Sequence, residues 1–587
     1  MKARPVLYVI LTVLLVVLAA CNGGEDPSTV NTPGSGVQRP GNAIDVTVIY
    51  APESEQFMPQ AMEDFNRAYA QGRNPVTGQA LASGERPIYV TGHNASSGTV
   101  MQGIVNAVIA PNNANVERPV AFQPSVSHWL ALANFQSGRQ IFDLAEAQPI
   151  ALAPVVMAIW ESRLQAIRDT VGYDQIGWEE LLGVLDSPNG WQDYGFSGRT
   201  AVYYGHTDPF ISSTALSTLI AEFYAAARVN GFTGRRLDMA QVNDEDVQDG
   251  VREIEQLIRH YSQRTTEFRE YIAQGPDYLD FVALEENDLI YINTGQTDIQ
   301  PPERLVALYP KEGTFWHEHP MGIVNADWVT PEQQEAARVF IDYLLTPEVQ
   351  RRVMEQGFRP AKPDVELGFP FVEENGVDPA GPPTVLDVPA PDVIAAIQQS
   401  WSFVKKQADV MVLIDISGSM EGDKLNQAKQ AAQAFIENME PTNRIGLALF
   451  SDSFELRIPL ENAETVRQRV ISNISGLRAG GGTALNAAVL EAVELMNEQT
   501  ASERIRAVVV LSDGADTSDG RVTLNDALRS ITASRETPNP VIVIPVAYGA
   551  DADINALSSI ARSSNTRVAS GDPQNILSVL EIISSYF

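Results

Sequence analysis

The chain has 587 residues, 44% hydrophobic and 20% charged, without repeats or long low-complexity tracts, which suits two or three globular domains. Its formal net charge of −33 argues against nucleic-acid binding, which rests on basic neutralisation of phosphate, and leaves a soluble surface that attracts cations. In chain order, Lys2 and Arg4 precede an apolar stretch from Val6 to Ala20, short for a membrane span and suited to a signal peptide over residues 1–20. Residues 21–42 are rich in Gly, Pro, Ser, Thr and Asn without apolar periodicity and read as a flexible tether. A larger domain follows over 43–365, then a proline-rich linker over 366–400, stiffened but loosely connecting, and a smaller domain over 401–587.

The larger domain opens with a strand, Ile44–Tyr50, and a helix capped by Ser54 with Phe57, Met58, Ala61, Met62, Phe65 and Tyr69 on its apolar face. A second strand, Pro87–Thr91, leads into a turn and helix carrying Ser97, Gly98 and Thr99. A third, Thr200–Tyr204, leads to Ser212 and Ser213 before a helix with Leu216, Leu219, Ile220, Phe223 and Tyr224. Hydroxyl residues thus recur at helix N-termini, where unpaired N–H groups and the positive dipole end suit an anion or polar solute, although capping alone also explains serine there. His317 and His319 share one face of an extended segment, but no further ligand stands at zinc-binding spacing. A surface or packing role is expected for both, and for Phe315 and Trp316 core packing or a lobe contact rather than an aromatic wall for a solute.

The smaller domain alternates apolar strands, Val410–Ile414, Ile445–Phe450, Ala507–Leu511 and Val541–Val546, with amphipathic helices. One helix carries Leu425, Ala428, Ala432, Phe435, Ile436 and Met439; another carries Leu485, Ala488, Val489, Ala492, Val493 and Met496. That order predicts an α/β fold with a mostly parallel sheet covered on both faces and ligands at the carboxyl ends of its strands. Asp415, Ser417 and Ser419 follow the first strand, Thr483 precedes a helix, and Asp513 follows the strand Ala507–Leu511. Three segments therefore put oxygen ligands on one rim, a donor set suited to a hard divalent cation such as Mg²⁺.

Three resemblances follow from these residues. Leu18-Ala19-Ala20-Cys21 resembles the bacterial lipoprotein lipobox, which implies lipidation of Cys21, export and anchoring to the bacterial cell membrane facing outside the cytoplasm. Cys21 is also the sole cysteine, so no intrachain disulfide is expected. The smaller domain resembles the von Willebrand factor A domain, a Rossmann-like fold. Asp415, Ser417, Ser419, Thr483 and Asp513 match its metal-ion-dependent adhesion site, which implies Mg²⁺ or another divalent cation and a partner protein supplying a carboxylate. The stretch Val546–Leu557, with Asn575 to Leu577, is similar to that family's last strand and helix.

Residues 43–365 resemble the two-lobed type II periplasmic (extracellular solute-binding) proteins. The resemblance rests on Leu305–Tyr309, the Tyr309-Pro310-x-x-Gly313 turn, the capping box Thr330-Pro331-Glu332-Gln333 and the helix start Thr346-Pro347-Glu348, with Pro149–Ile159 and Trp178–Leu182 as the crossing strand and first helix of a second lobe. It implies a small solute held by Ser54, Ser97, Gly98, Thr99 and Ser125 of one lobe and Ser212, Ser213 and Tyr291 of the other. An ABC permease is a possible partner if the chain is a transport receptor. No Gly-x-x-x-x-Gly-Lys-Ser/Thr loop, nucleophile elbow or His-Glu-x-x-His helix occurs, so binding rather than catalysis is expected.

Overall fold

The structure, a computed structural model, describes residues 37–571 apart from 113–115, 186, 198–201, 257, 263–264, 500–503, 514, 519, 536, 538, 549–551, 565 and 567. The leader, Cys21, most of the tether and the segment from Asn575 to Leu577 lie outside the described residues, so lipidation at Cys21 does too. Among the described residues, no helix is long and apolar enough to cross a membrane.

The expected strand Ile44–Tyr50 lies inside a first sheet whose spatial order is Ile88–Asn94, Ile44–Tyr50, Ala121–Gln123, Pro320–Ile323, Gln148–Pro149. Its first two strand pairs are parallel and the others antiparallel. A second sheet is built on Ala153–Trp160, all eight residues buried, with Phe281–Glu285, Leu305–Leu308 and Trp316–His317 antiparallel to it. Tyr204–Thr207 and Ile258–Ser262 continue that sheet in parallel. The chain passes between the two sheets at residues 149–153 and again at 317–320, and these passages lie side by side because each ends in a strand paired with the other's. Two lobes joined by adjacent crossovers result, and the helices Pro331–Leu344 and Pro347–Glu355 return to the first lobe. The capping box at Thr330 forms as expected, whereas Ser54 caps nothing. It lies in a short 3₁₀ turn, Pro52–Gln56, and Phe57 stands at the helix N-cap.

In the third sheet the strands run Phe454–Asn462, Arg444–Phe450, Ala408–Asp415, Ile505–Ser512, Val541–Tyr548, Ala569–Gly571, all parallel except the first pair. Alternate residues of Ala408–Asp415 enter opposite cores: Val410, Val412 and Ile414 pack on one face, Met411 and Leu413 on the other. A strand buried on both sides is a continuous apolar run for that reason.

The proline-rich segment is not a loose connection. Phe371, Val377 and Leu386 are buried against the larger domain, and Pro391–Val404 is a helix that inserts Val393, Ile394, Ile397, Trp401 and Val404 into its core. The correction has a simple cause: prolines set the path of this segment, but the apolar residues of its final helix, at helical spacing, bury against His128–Ser137 of the first lobe and against Ser213–Val229 and Glu245–Gln256 of the second. Residues 401–404, expected at the start of the smaller domain, belong to this helix. Contacts at the joint include Lys406 Nζ donating to Gln256 O at 2.8 Å and Arg252 Nε donating to Phe403 O at 3.3 Å.

Candidate functional site

At the carboxyl rim of the third sheet, Asp415 ends the strand Ala408–Asp415 with its carboxylate fully buried. Its Oδ1 accepts the Ser417 N–H at 2.8 Å and its Oδ2 accepts the Ser512 hydroxyl at 2.7 Å. Ser417 Oγ lies 3.0 Å from Ser419 Oγ, which donates to Asp513 Oδ1 at 2.8 Å. Four of the five expected residues therefore form one hydrogen-bonded chain across two strand ends. Thr483 is held beside it by the backbone: its N–H donates to Thr517 Oγ1 at 2.8 Å, and Thr517 N–H returns a bond to Thr483 O at 2.8 Å. Gly418 N to Gly481 O (3.0 Å) and Gly480 N to Ile416 O (2.8 Å) lace the two loops together. Gly481 is required here, since its φ is +87° and a Cβ would lie 2.6 Å from the Asp452 carboxylate.

The rim faces solvent through Ser419, which is exposed, while Asp415, Ser417, Thr483 and Asp513 are buried. Burial pushes the Asp415 carboxyl up, against hydrogen bonds from Ser417 and Ser512, and the Asp513 charge adds to the rise. An oxygen-only set carrying two close carboxylates fits a hard divalent cation, which would relieve that repulsion. Sequence spacing did not reveal Ser512, which orients Asp415, or Lys424, whose Nζ lies 2.6 Å from Asp513 Oδ2. Both are only legible as strand-end or helix-start neighbours of the motif.

The residues expected to hold a solute divide. Ser97, Ser212 and Ser213, with Glu53, Ser96 and Thr265, line a cavity between the lobes of only about 10 Å³, room for about one water molecule. The lobes meet there directly. Gly98 N–H donates to Ile211 O at 3.1 Å, and Trp129 Nε1 donates to Ser213 Oγ at 2.9 Å. A Cβ on Gly98 would lie 1.9 Å from Phe210 O, so glycine serves the approach of one lobe to the other. Ser212 caps its helix through Ala215 N and bonds Thr265 Oγ1 at 2.7 Å. Ser125 donates to Glu53 Oε2 at 3.0 Å, and Ser54 Oγ lies 3.5 Å from His319 Nδ1. Thr99 is exposed on the helix, and half-buried Tyr291 lies under Arg269 at 4.8 Å; neither lines this cavity.

His317 and His319 are both fully buried, so packing rather than surface is their place. They share a partner that spacing could not show: Glu285 Oε1 lies 2.7 Å from His317 Nδ1 and Oε2 lies 3.0 Å from His319 Nε2. Strand pairing in the second lobe brings Glu285 beside this crossover. Burial pushes Glu285 up, but the charges of His319 and His317 and their hydrogen bonds outweigh it and hold it at about 2. Glu53, on the same seam, is pushed up to about 7 by burial and by the charges of Glu285 and Asp288. His319 also has φ 41°, an unfavourable conformation for a non-glycine residue. Phe315 is buried edge-on to His128, in keeping with core packing, and Trp316 is half-buried beside Arg359.

Residues 409–579 match the von Willebrand factor type A domain family, and residues 131–377 match the bacterial extracellular solute-binding protein family. The chain thus joins a solute-binding-protein-like N-terminal region to a C-terminal von Willebrand factor A domain. Among curated proteins, it is similar to inter-alpha-trypsin inhibitor heavy chain H1 of Bos taurus, 27% identical over 171 residues, 28% of this chain and 18% of that protein. The chain spans less than a fifth of that relative's length. Similar solved structures include a periplasmic thiamin binding protein, 12% identical, covering 62% of this chain and 96% of that one with a TM-score of 0.41. Another is von Willebrand factor type A from Catenulispora acidiphila, 22% identical, covering 31% of this chain and 43% of that one with a TM-score of 0.28.

Proposed function

We propose that this chain is an exported, membrane-anchored binding protein rather than an enzyme. Its A domain grips a carboxylate of a partner protein through Mg²⁺ held by Asp415, Ser417, Ser419, Thr483 and Asp513, and its two-lobed domain takes a small solute. The observation that carries the first part is the hydrogen-bonded chain from Asp415 through Ser417 and exposed Ser419 to Asp513, an oxygen rim open to solvent on its Ser419 side. The match to a family of extracellular proteins supports export, and the lipobox at Cys21 supports the anchor.

A solute enters this domain only when the lobes part, because Gly98 and Ile211, and Trp129 and Ser213, now satisfy each other across the seam. Hinged opening of two lobes about adjacent crossovers is the motion that fits this geometry. The test of the metal grip is a calorimetric titration of the purified chain with Mg²⁺, beside capture of the chain on a panel of immobilised matrix and cell-envelope proteins. Asp415→Ala should abolish both Mg²⁺ binding and Mg²⁺-dependent capture while circular dichroism stays unchanged. Capture that resists chelation, or an Asp415→Ala variant that binds Mg²⁺ as the parent does, overturns the reading.

A further inference from the structure

The second lobe holds a separate group of ligand-type side chains, remote in sequence from the rim. His206 comes from the strand Tyr204–Thr207, Glu222 from the long helix Ser213–Val229 and Glu255 from the end of the helix Glu245–Gln256. Among the described residues, they offer one ligand atom each within 4.8 Å of one another, and all three are buried. Glu222 lies on a helix buried continuously from Ser213 to Ala227, where an ionisable residue is not expected without a purpose.

Three observations distinguish this group from a casual acidic cluster. Neither carboxylate oxygen of Glu222 makes a hydrogen bond of good geometry, although the residue is wholly buried. The groups that act on it are the Glu255 carboxylate and the Tyr204 hydroxyl. Secondly, His206 Nδ1 lies 2.6 Å from Thr207 O, so that Nδ1–H is donated to a backbone carbonyl and Nε2 keeps its lone pair. Fixing one ring nitrogen on a carbonyl is how metal-binding imidazoles are oriented. Thirdly, the ring is clamped by Trp401, 5.2 Å away and nearly parallel, from the helix that leads into the A domain.

We infer that His206, Glu222 and Glu255 form a structural site for a divalent transition ion of the zinc class, set beneath the helix that joins the two domains. One imidazole and two carboxylates suit that class, with water or the Tyr204 hydroxyl left to complete a tetrahedron. The ion would neutralise two carboxylates that otherwise repel in an apolar setting. Lys405, whose charge reaches Glu255, is shared with Asp208 and Glu440 and so offsets the pair only in part. The competing arrangement is a proton shared between Glu222 and Glu255, which needs no metal.

Retention of metal separates the two. The full chain is unfolded in chelator, refolded with Zn²⁺ in excess Mg²⁺ so that the oxygen rim holds the harder ion, dialysed at high salt, and its zinc counted by mass spectrometry. One zinc per chain is expected, and Co²⁺ in its place should give the intense visible bands of a tetrahedral ion. Glu222→Gln should weaken retention by more than about tenfold, the loss that removing even an outer partner brings. Glu255→Gln serves as the second variant should Glu222→Gln fold poorly. Parent protein that retains no zinc, or variants that retain as much as the parent, overturn the inference and leave the shared proton.

Discussion

Lys424 places an ammonium group on Asp513 at 2.6 Å, in the midst of the residues proposed to hold Mg²⁺. A tethered cation there competes with the ion for the same carboxylate. Removing a unit charge a few ångströms away is worth on the order of 1–4 kcal/mol between water-like and surface-like screening. Lys424 is only 25% exposed and Asp513 is fully buried, so the screening is nearer surface-like than water-like, and Lys424→Met should tighten Mg²⁺ binding by at least about tenfold in a calorimetric titration. Unchanged affinity would show that Lys424 only anchors its helix. The seam carries a pH dependence of its own. Glu285, depressed to about 2, contributes stability that is present above its ordinary 4.5 and lost as pH falls toward 2. Glu53, raised to about 7, acts the other way: its contribution is full below 4.5 and is lost as pH rises to 7. Burial pushes His319 down, but the Glu285 charge and hydrogen bond outweigh it and raise it above 6.5, so it adds a further loss as pH rises from 6.5 through its folded value. Melting temperatures between pH 4.5 and 7 should therefore fall with rising pH, and Glu53→Gln should flatten that slope. An equal slope in both proteins would place the dependence elsewhere.

At the level of elements, the seam is made by a helix start meeting a turn. Gly98 stands in the first turn of the helix Ser97–Ile109; the Phe210 carbonyl sits where a side chain would be, and the Ile211 carbonyl accepts the Gly98 N–H. Gly98→Ala forces the turn away, an overpacking that costs about 1–3 kcal/mol if the lobes stay closed. The cheaper response is to open, so the variant should show a larger radius of gyration by X-ray scattering and faster proteolysis at the hinge. A variant as compact as the parent would mean that the turn alone yields. The elements themselves were largely legible: strands buried on both faces of the A domain are unbroken apolar runs, and Thr330 and Pro331 announce a helix start. Ser54 was misleading because serine before an apolar helix reads as a cap, whereas the intervening 3₁₀ turn aims it at His319.

Across the whole molecule, the joint between the domains is the point where sequence and structure part most. Trp401 stacks on His206 and belongs to a helix whose apolar face lies in the core of the larger domain. Trp401→Ala removes that buried ring at a cost of about 3–5 kcal/mol, and a single thermal transition should then separate into two in calorimetry. Persistence of one transition would place the coupling outside this helix. By itself the sequence determined the two α/β modules, their order and the joining of Asp415, Ser417, Ser419 and Asp513 on one rim, because strand and helix periodicities are local and these residues stand at or directly after strand ends. Only tertiary structure decided what those residues face. Glu285 between two histidines, Lys424 on Asp513, the closed seam at Gly98 and the meeting of His206, Glu222 and Glu255 all join segments far apart in the chain. Such contacts are set by which surfaces bury together, and no local spacing records them.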